Sequence, residues 1–271
     1  PVFSKIKAKP HQQGSAKRKT VLFLSDVFSQ YLEPQVAQAA FDILDFAGYD
    51  VKVLPSVGAG ASFLSKGFID EARAHAEKVL SEIKALGGGT DVSVVGCEPP
   101  EVYCLKHEYV SLLPERRAEI ESITKTVWLV DEFLLRIDNW ASRNEFSEKT
   151  KVTFHPHCHQ RAEGLADDGL PSGTSATVAM LKMAGFDVDL IDAGCCGMAG
   201  TFGYDTEHYE LSMQVGELGV LREMRNAEAR MQKAVSTGSA CRLQIKQGTG
   251  VEAQHPLILV RDTLLGKYSR I

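Results

Sequence analysis

No apolar run in this sequence approaches the roughly 18 to 20 residues needed to cross a bilayer, so a spanning helix is not expected. Cysteine is sparse. Six residues in a 271-residue chain are too few for a disulfide scaffold, which would also be much shorter. Basic charge is scarce outside the first 20 residues, which hold Lys5, Lys7, Lys9, Lys17, Arg18 and Lys19 and no acid. Beyond them 24 bases face 35 acids, a balance that does not suggest nucleic-acid binding. Neither a Met at position 1 nor an apolar signal segment is present, so the sequence reads as a piece of something longer. With 44% hydrophobic and 24% charged residues, disordered and collagen-like classes are excluded and a substantial core is expected.

What is there has an order that repeats. Val21-Leu22-Phe23-Leu24 reads as a buried strand. Pro34 opens a helix carrying Ala37, Ala40, Phe41 and Leu44, Gly48 stops it, and Asp50–Leu54 alternates as a strand. Later, Lys151–Phe154 is a strand, Thr174 caps a helix with Val178, Leu181 and Met183, Gly185 ends it, and Asp187–Ile191 is the next strand. Ala47-Gly48-Tyr49-Asp50-Val51 matches Ala184-Gly185-Phe186-Asp187-Val188. Counting on 11, 12 and 13 residues from each Ala gives Gly58-Ala59-Gly60 in the first copy and Cys195-Cys196-Gly197 in the second. Further helices are expected over Asp70–Leu86 and from about Thr206, the latter using Leu211, Val215 and Leu218. Short strands are expected at Val92–Val95 and near Ala234–Ser236. The expectation is an α/β protein of two related halves with mainly parallel sheets. Residues 1–19 form a basic flexible arm, 20–140 the first repeat and 150–271 the second, with the polar stretch 141–150 as the boundary.

The second copy holds the chemistry. Cys158 is followed after 36 residues by Cys195-Cys196, and after 44 more by Cys241. Each falls where a loop after a strand is expected, and in an open α/β sheet the loops at the carboxyl ends of strands converge. Gly194, Gly197, Gly200 and Gly203 crowd the same segment and leave backbone N–H groups free for an anionic ligand. Four thiolates suit an iron–sulfur cluster, in which adjacent cysteines bind different irons. Structural zinc and a metal-free thiol–disulfide site remain as alternatives.

At these residues the sequence resembles a known family. His155-Pro156-His157-Cys158-His159, Gly194–Gly203 and Gly238-Ser239-Ala240-Cys241-Arg242-Leu243-Gln244 look like the cysteine-rich CCG domain. That domain occurs in glycolate oxidase and lactate utilisation iron–sulfur subunits, in anaerobic glycerol-3-phosphate dehydrogenase and in heterodisulfide reductase. It also forms the C-terminal part of FAD-linked D-2-hydroxyacid dehydrogenases. Leu64-Ser65-Lys66-Gly67 and Gly96-Cys97-Glu98-Pro99 look closest to that fused group. The resemblance implies a duplicated CCG domain and a 4Fe–4S cluster on Cys158, Cys195, Cys196 and Cys241. It also implies FAD on a partner domain or subunit, since flavin-binding and ferredoxin-like segments are missing here. The implied function is electron transfer from FAD to an acceptor in a D-2-hydroxyacid dehydrogenase. Disulfide cleavage, as in heterodisulfide reductase, is the alternative, and Gln244 in place of a second cysteine argues against it. The implied location is cytoplasmic, with the inner face of a membrane open to the basic arm.

Neighbouring residues carry secondary expectations. His155, His157 and His159 alternate around Cys158, and His159 is the favoured hydrogen-bond donor to a cluster. Phe202 and Tyr204 are expected to shield the site. Asp26 lies near the place of the first cysteine in the first copy, which has lost its ligands. Asp26, Glu98 and Glu101 read as solvated loop acids, Cys97 and Cys104 as packed thiols. The segments Gly58–Lys66 and Gly96–Tyr103 are expected to offer a docking surface.

Overall fold

A computed structural model describes residues 18–89, 92–138, 140 and 150–266. Two compact units part between Phe133 and Leu134, ahead of the polar stretch, of which residues 141–149 lie outside the described residues. Arm residues 1–17 lie outside them too. Arg18 and Lys19, read with the arm, are tied into the first unit. The Arg18 guanidinium meets Asp45 at 2.6 Å and Asp50 at 2.8 Å, and Lys19 opens the first strand.

The first unit is a parallel sheet of β1 (Lys19–Ser25), β2 (Tyr49–Val57), β3 (Val94–Gly96) and β4 (Val127–Leu129), in the order β2-β1-β3-β4. β1 is central, which explains its uninterrupted apolar run: Val21, Leu22 and Phe23 are fully buried. Burial of each such side chain contributes about 1.5–3 kcal/mol. Helix Pro34–Phe46 packs Val36, Ala40, Ile43 and Leu44 inward and ends at Gly48, whose φ of +90° supplies the left-handed turn. Helix Ile69–Ala85 buries Ala72, Ala76, Val79, Leu80 and Ile83, the 3.6-residue stripe expected there.

The second unit has β5 (Thr150–His155), β6 (Phe186–Leu190) and β7 (Lys233–Ser236), all parallel, in the order β6-β5-β7. Helix Gly173–Met183 joins β5 to β6 and stops at Gly185, φ +86°. Ser172, rather than Thr174, precedes its first residue. Ile191, Met198, Leu221, Met224 and Ile245 pack in this unit's core with Cys196 and Cys241.

Strand register aligns the two units residue by residue. Lys19 pairs with Tyr49, and Thr150 pairs with Phe186. Since Tyr49 and Phe186 are the matched aromatics, Lys19 corresponds to Thr150 and Leu24 to His155. Leu24 pairs with Gly96, and His155 pairs with Ser236. The chain leaving β3 is thereby aligned with the chain leaving β7.

One expected face is turned the other way. Helix Tyr209–Glu217, which follows a 3-10 turn at Thr206–His208, buries Ser212 and Gly216. Leu211 is 52% exposed, and Leu218, just past the helix, is 80% exposed.

Candidate metal centre

Three chain segments leave the same end of the second sheet. Cys158 is the first residue of helix Cys158–Ala162 after β5, not a loop residue. Cys195 and Cys196 lie in the irregular segment after β6. Cys241 lies in the first turn of helix Ser239–Thr249 after β7. Their sulfurs form a connected chain in which Cys195 accepts from Cys158 and Cys196, and Cys241 accepts from Cys196. Cys195 and Cys241 are held far below the usual thiol range by those donors. Cys158 and Cys196 are pushed far up by donating, and burial adds to it.

Backbone amides complete the surroundings. The Gly197 N–H donates to Cys195 Sγ at 3.3 Å, the Ala199 N–H is directed at the same sulfur, and the Met198 N–H at Cys196. Such a nest favours negative charge on sulfur. Gly197 has φ +98°, and a Cβ there would sit 2.0 Å from the Ser212 carbonyl oxygen, so glycine is obligatory. Gly194 and Gly200 are exposed; nothing approaches a Cβ at Gly194, and Gly200 supplies a turn with φ +65°. The segment also holds Ala199 at φ 38°, strained for a residue with a side chain.

The histidines divide. His157 is buried, its Nδ1 lies 3.7 Å from Cys158 Sγ, and burial lowers its pKa. His155 is buried beside Cys241 and helps hold that thiol low, yet neither of its ring nitrogens meets hydrogen-bond geometry with a partner. His159 is exposed; its ring packs edge-on against His157 at 5.1 Å, and its amide donates to His157 Nδ1 at 3.1 Å. Phe202 stacks on His208 at 4.1 Å, while Tyr204 is 46% exposed.

The support for these loops comes from residues that the sequence does not flag. Thr237 accepts from the His157 amide at 3.1 Å and donates to Gln160, which donates to Thr177 at 3.0 Å. Buried Arg242 donates to the carbonyls of Ser236 and Thr237, both at 2.9 Å, and ties the β7 loop to the helix carrying Cys241. Gln244, at the place of the absent second cysteine, is fully buried and donates to Ser212 at 2.9 and 3.1 Å. No spacing or periodicity singles these out.

Among the described residues, no three His, Cys, Asp or Glu side chains are gathered as ligands of one metal ion. The donor set here is four sulfurs from three segments, soft ligands that suit iron–sulfur chemistry, with N–H groups aimed at sulfur and a histidine whose nitrogens lack partners. The residues present fit such a group.

Residues 152–246 match the family model of the cysteine-rich domain CCG. The match lies within the second unit and takes in all four cysteines of the centre. Proteins similar to the chain include D-2-hydroxyglutarate dehydrogenase of Escherichia coli K12, 27% identical over 89% of this chain and 22% of the relative. They also include an anaerobic glycerol-3-phosphate dehydrogenase subunit of the same organism, 25% identical over 93% of this chain and 61% of the relative. The Haemophilus influenzae D-2-hydroxyglutarate dehydrogenase is 22% identical, again over about a quarter (24%) of its length. The chain thus spans between about a fifth and three fifths of these dehydrogenase relatives. No helix among the described residues is long and apolar enough to cross a membrane.

The first unit holds other residues at the places that the second gives to its cysteines. By register, Val27 stands at the position of Cys158, with Asp26 beside it at that of His157, and Glu101 stands at the position of Cys241. The Glu101 carboxylate folds onto the amides of Ala59, Gly60 and Ala61, at 2.5, 3.1 and 3.4 Å. Gly60 has φ +94°, close to the +98° of its counterpart Gly197. Two of these amides, of Gly60 and Ala61, are the counterparts of those of Gly197 and Met198, which face sulfur in the second unit. The reading of Asp26, Glu98 and Glu101 as solvated acids is corrected: Asp26 and Glu98 are buried, and the Glu101 carboxyl is turned inward onto backbone amides. Of the segment Gly58–Lys66, expected to offer a docking surface, Gly58, Ala59 and Gly60 are buried, with the Ala59 carbonyl accepting from Tyr109 at 2.9 Å, while Ser62, Ser65 and Lys66 are exposed. Cys104 is a packed thiol, its Sγ 3.6 Å from the same carbonyl, and burial pushes its pKa up.

Glu101 yields a prediction. Burial raises its pKa, Asp26 adds to this, and the three amides oppose it. A carboxyl raised in the folded state contributes stability that is fully present below its unfolded pKa and is lost as pH rises through the raised value. Glu101→Gln should flatten that dependence and cost about 1 kcal/mol or less, since the amide oxygen still accepts. Glu101→Ala should cost about 2–4 kcal/mol, because three amides lose their acceptor. Urea unfolding across pH measures both; equal stability of Glu101→Ala and the parent would contradict the assignment.

Proposed function

We propose that this chain is the iron–sulfur electron-transfer part of a flavin-linked D-2-hydroxyacid dehydrogenase. The observation that carries the reading is the four-cysteine chain inside the CCG domain, built from three segments and lined by amides. Cys158, Cys195, Cys196 and Cys241 would hold a 4Fe–4S cluster, which when bound takes and gives one electron at a time. The chain's own residues set the conditions. Cys196 and Cys241, 4% and 2% exposed, anchor the buried side, and Cys158 and Cys195 face outward. The amides of Gly197, Met198 and Ala199 stabilise negative charge on sulfur, which raises the potential of the group they surround. His155, buried beside Cys241, adds an N–H donor on the buried side. Gln244, engaged with Ser212, supports a four-cysteine site over a disulfide-cleaving one with more cysteines.

Substrate oxidation then belongs to FAD on a partner domain or subunit. The chain's short span of its dehydrogenase relatives supports this division. Under anaerobic conditions the chain alone should not reduce a dye at the expense of D-lactate, glycolate or D-2-hydroxyglutarate. Adding the FAD-binding polypeptide from the same source should start dye reduction, and a variant of that polypeptide unable to bind FAD should not. Robust turnover by this chain alone would contradict the division of labour.

A further inference from the structure

The stripe Leu211, Val215 and Leu218 has the i, i+4, i+7 spacing of a helix face made for burial. In the folded chain it is left open: Leu211 is 52% and Leu218 80% exposed, and the helix buries small residues, Ser212 and Gly216, instead. Leu190, 46% exposed, ends β6, an edge strand of the second sheet. Leu190, Val215 and Leu218 line one cavity of about 490 Å³, and Cys195 lines it too. Cys195 is one of the two half-exposed cysteines of the centre. An apolar stripe therefore flanks the outward ligand of the site, where burying it would also exclude water from the sulfur.

We infer that Leu211, Val215, Leu218 and Leu190 form the surface on which the flavin-bearing part of the dehydrogenase seats, bringing electrons in through Cys195. The inference rests on the function proposed above and adds to it the place of docking. Its occupant is indicated by chain length: the D-2-hydroxyglutarate dehydrogenase relative carries nearly four fifths of its length beyond the matched region, which spans 22%. An apolar face beside a redox ligand suits an obligate interface, within one chain or between subunits, whose core is depleted of charge. Asp189, Asp192, Arg222, Glu223 and Arg230 line the same cavity, so charged side chains lie beside the apolar ones.

The test uses the complete chain, prepared anaerobically, and the FAD-binding polypeptide from the same source. Binding is measured by sedimentation for the parent, for Leu211→Lys/Leu218→Lys, and for Leu165→Lys, an 82% exposed leucine off the stripe. The double variant should bind roughly thirtyfold or more weakly, the size expected when apolar anchors at the centre of an interface are removed, while Leu165→Lys binds as the parent. Iron content and circular dichroism should be unchanged in both variants, since the altered side chains point outward. Flavin bleached by substrate should pass electrons to the centre more slowly in the double variant at equal protein concentration. Equal binding by the double variant overturns the inference. So does equal weakening by Leu165→Lys, or a parent that binds no flavin polypeptide. A parent that dimerises through the stripe, with Leu211→Lys/Leu218→Lys monomeric, assigns the face to a second copy and also overturns it. A parent without iron defeats the proposed function instead, and iron analysis separates the two failures.

Discussion

Cys196→Ser is expected to leave the chain with almost no iron, while Cys104→Ser keeps the iron content of the parent. Cys196 is 4% exposed and sits between Cys195 and Cys241 in the chain of sulfurs. Serine at this point offers a hard hydroxyl whose proton is far harder to remove, and a cluster with three thiolates is readily lost. Iron should fall to less than about a tenth of the parent's. Cys104 is equally buried, at 4%, but it belongs to the first unit and faces the Ala59 carbonyl. The pair therefore separates position in the centre from burial of a thiol. Colorimetric iron and the visible absorption of anaerobic protein read both variants. Equal iron in the two would remove the four-cysteine assignment.

Gly197→Ala carries the second large effect. At φ +98° a side chain is strained, which costs about 1–3 kcal/mol by itself. The added Cβ would lie 2.0 Å from the Ser212 carbonyl oxygen and 3.1 Å from the Gln244 amide nitrogen, so the helix carrying Ser212 must also move. Loss of about 3–5 kcal/mol is expected, with the amide that donates to Cys195 displaced and iron retention reduced. Gly194→Ala is the control: nothing lies within 4 Å of its Cβ, and its effect should stay within about 0.5 kcal/mol. Urea unfolding of the two variants gives the comparison. If they are destabilised alike, the loop is looser than the packing around Ser212 implies.

Much of this is legible in the sequence, and particular residues show why the rest is not. The strand–helix–strand repeat can be read because Gly48 and Gly185 stop equivalent helices and the apolar run of β1 has no other use than a central strand. The convergence of the cysteines follows from parallel topology, which sends all three segments to one end of the sheet. Alternation places His159 on the same face as His155 and His157 only if the backbone stays extended throughout. Cys158 instead opens a helix, so the two-residue period stops at His157 and His159 turns outward. Glu101 escapes a sequence reading because its role depends on register between β1 and β3, which aligns it with Cys241 across a gap that sequence comparison does not bridge. Leu211 and Leu218 read as core because periodicity reveals that a face is apolar but not which molecule covers it.

The central claim is tested most directly by quantifying iron, acid-labile sulfide and zinc in anaerobically purified chain, with EPR after reduction. The account predicts about four iron and four sulfide per chain, a broad absorption bleached by dithionite and one spin signal from the reduced centre. Only the second unit has the four-cysteine set, so about twice that iron would contradict the reading of the first unit as having lost its ligands. Stoichiometric zinc without iron or sulfide would contradict the electron-transfer function itself.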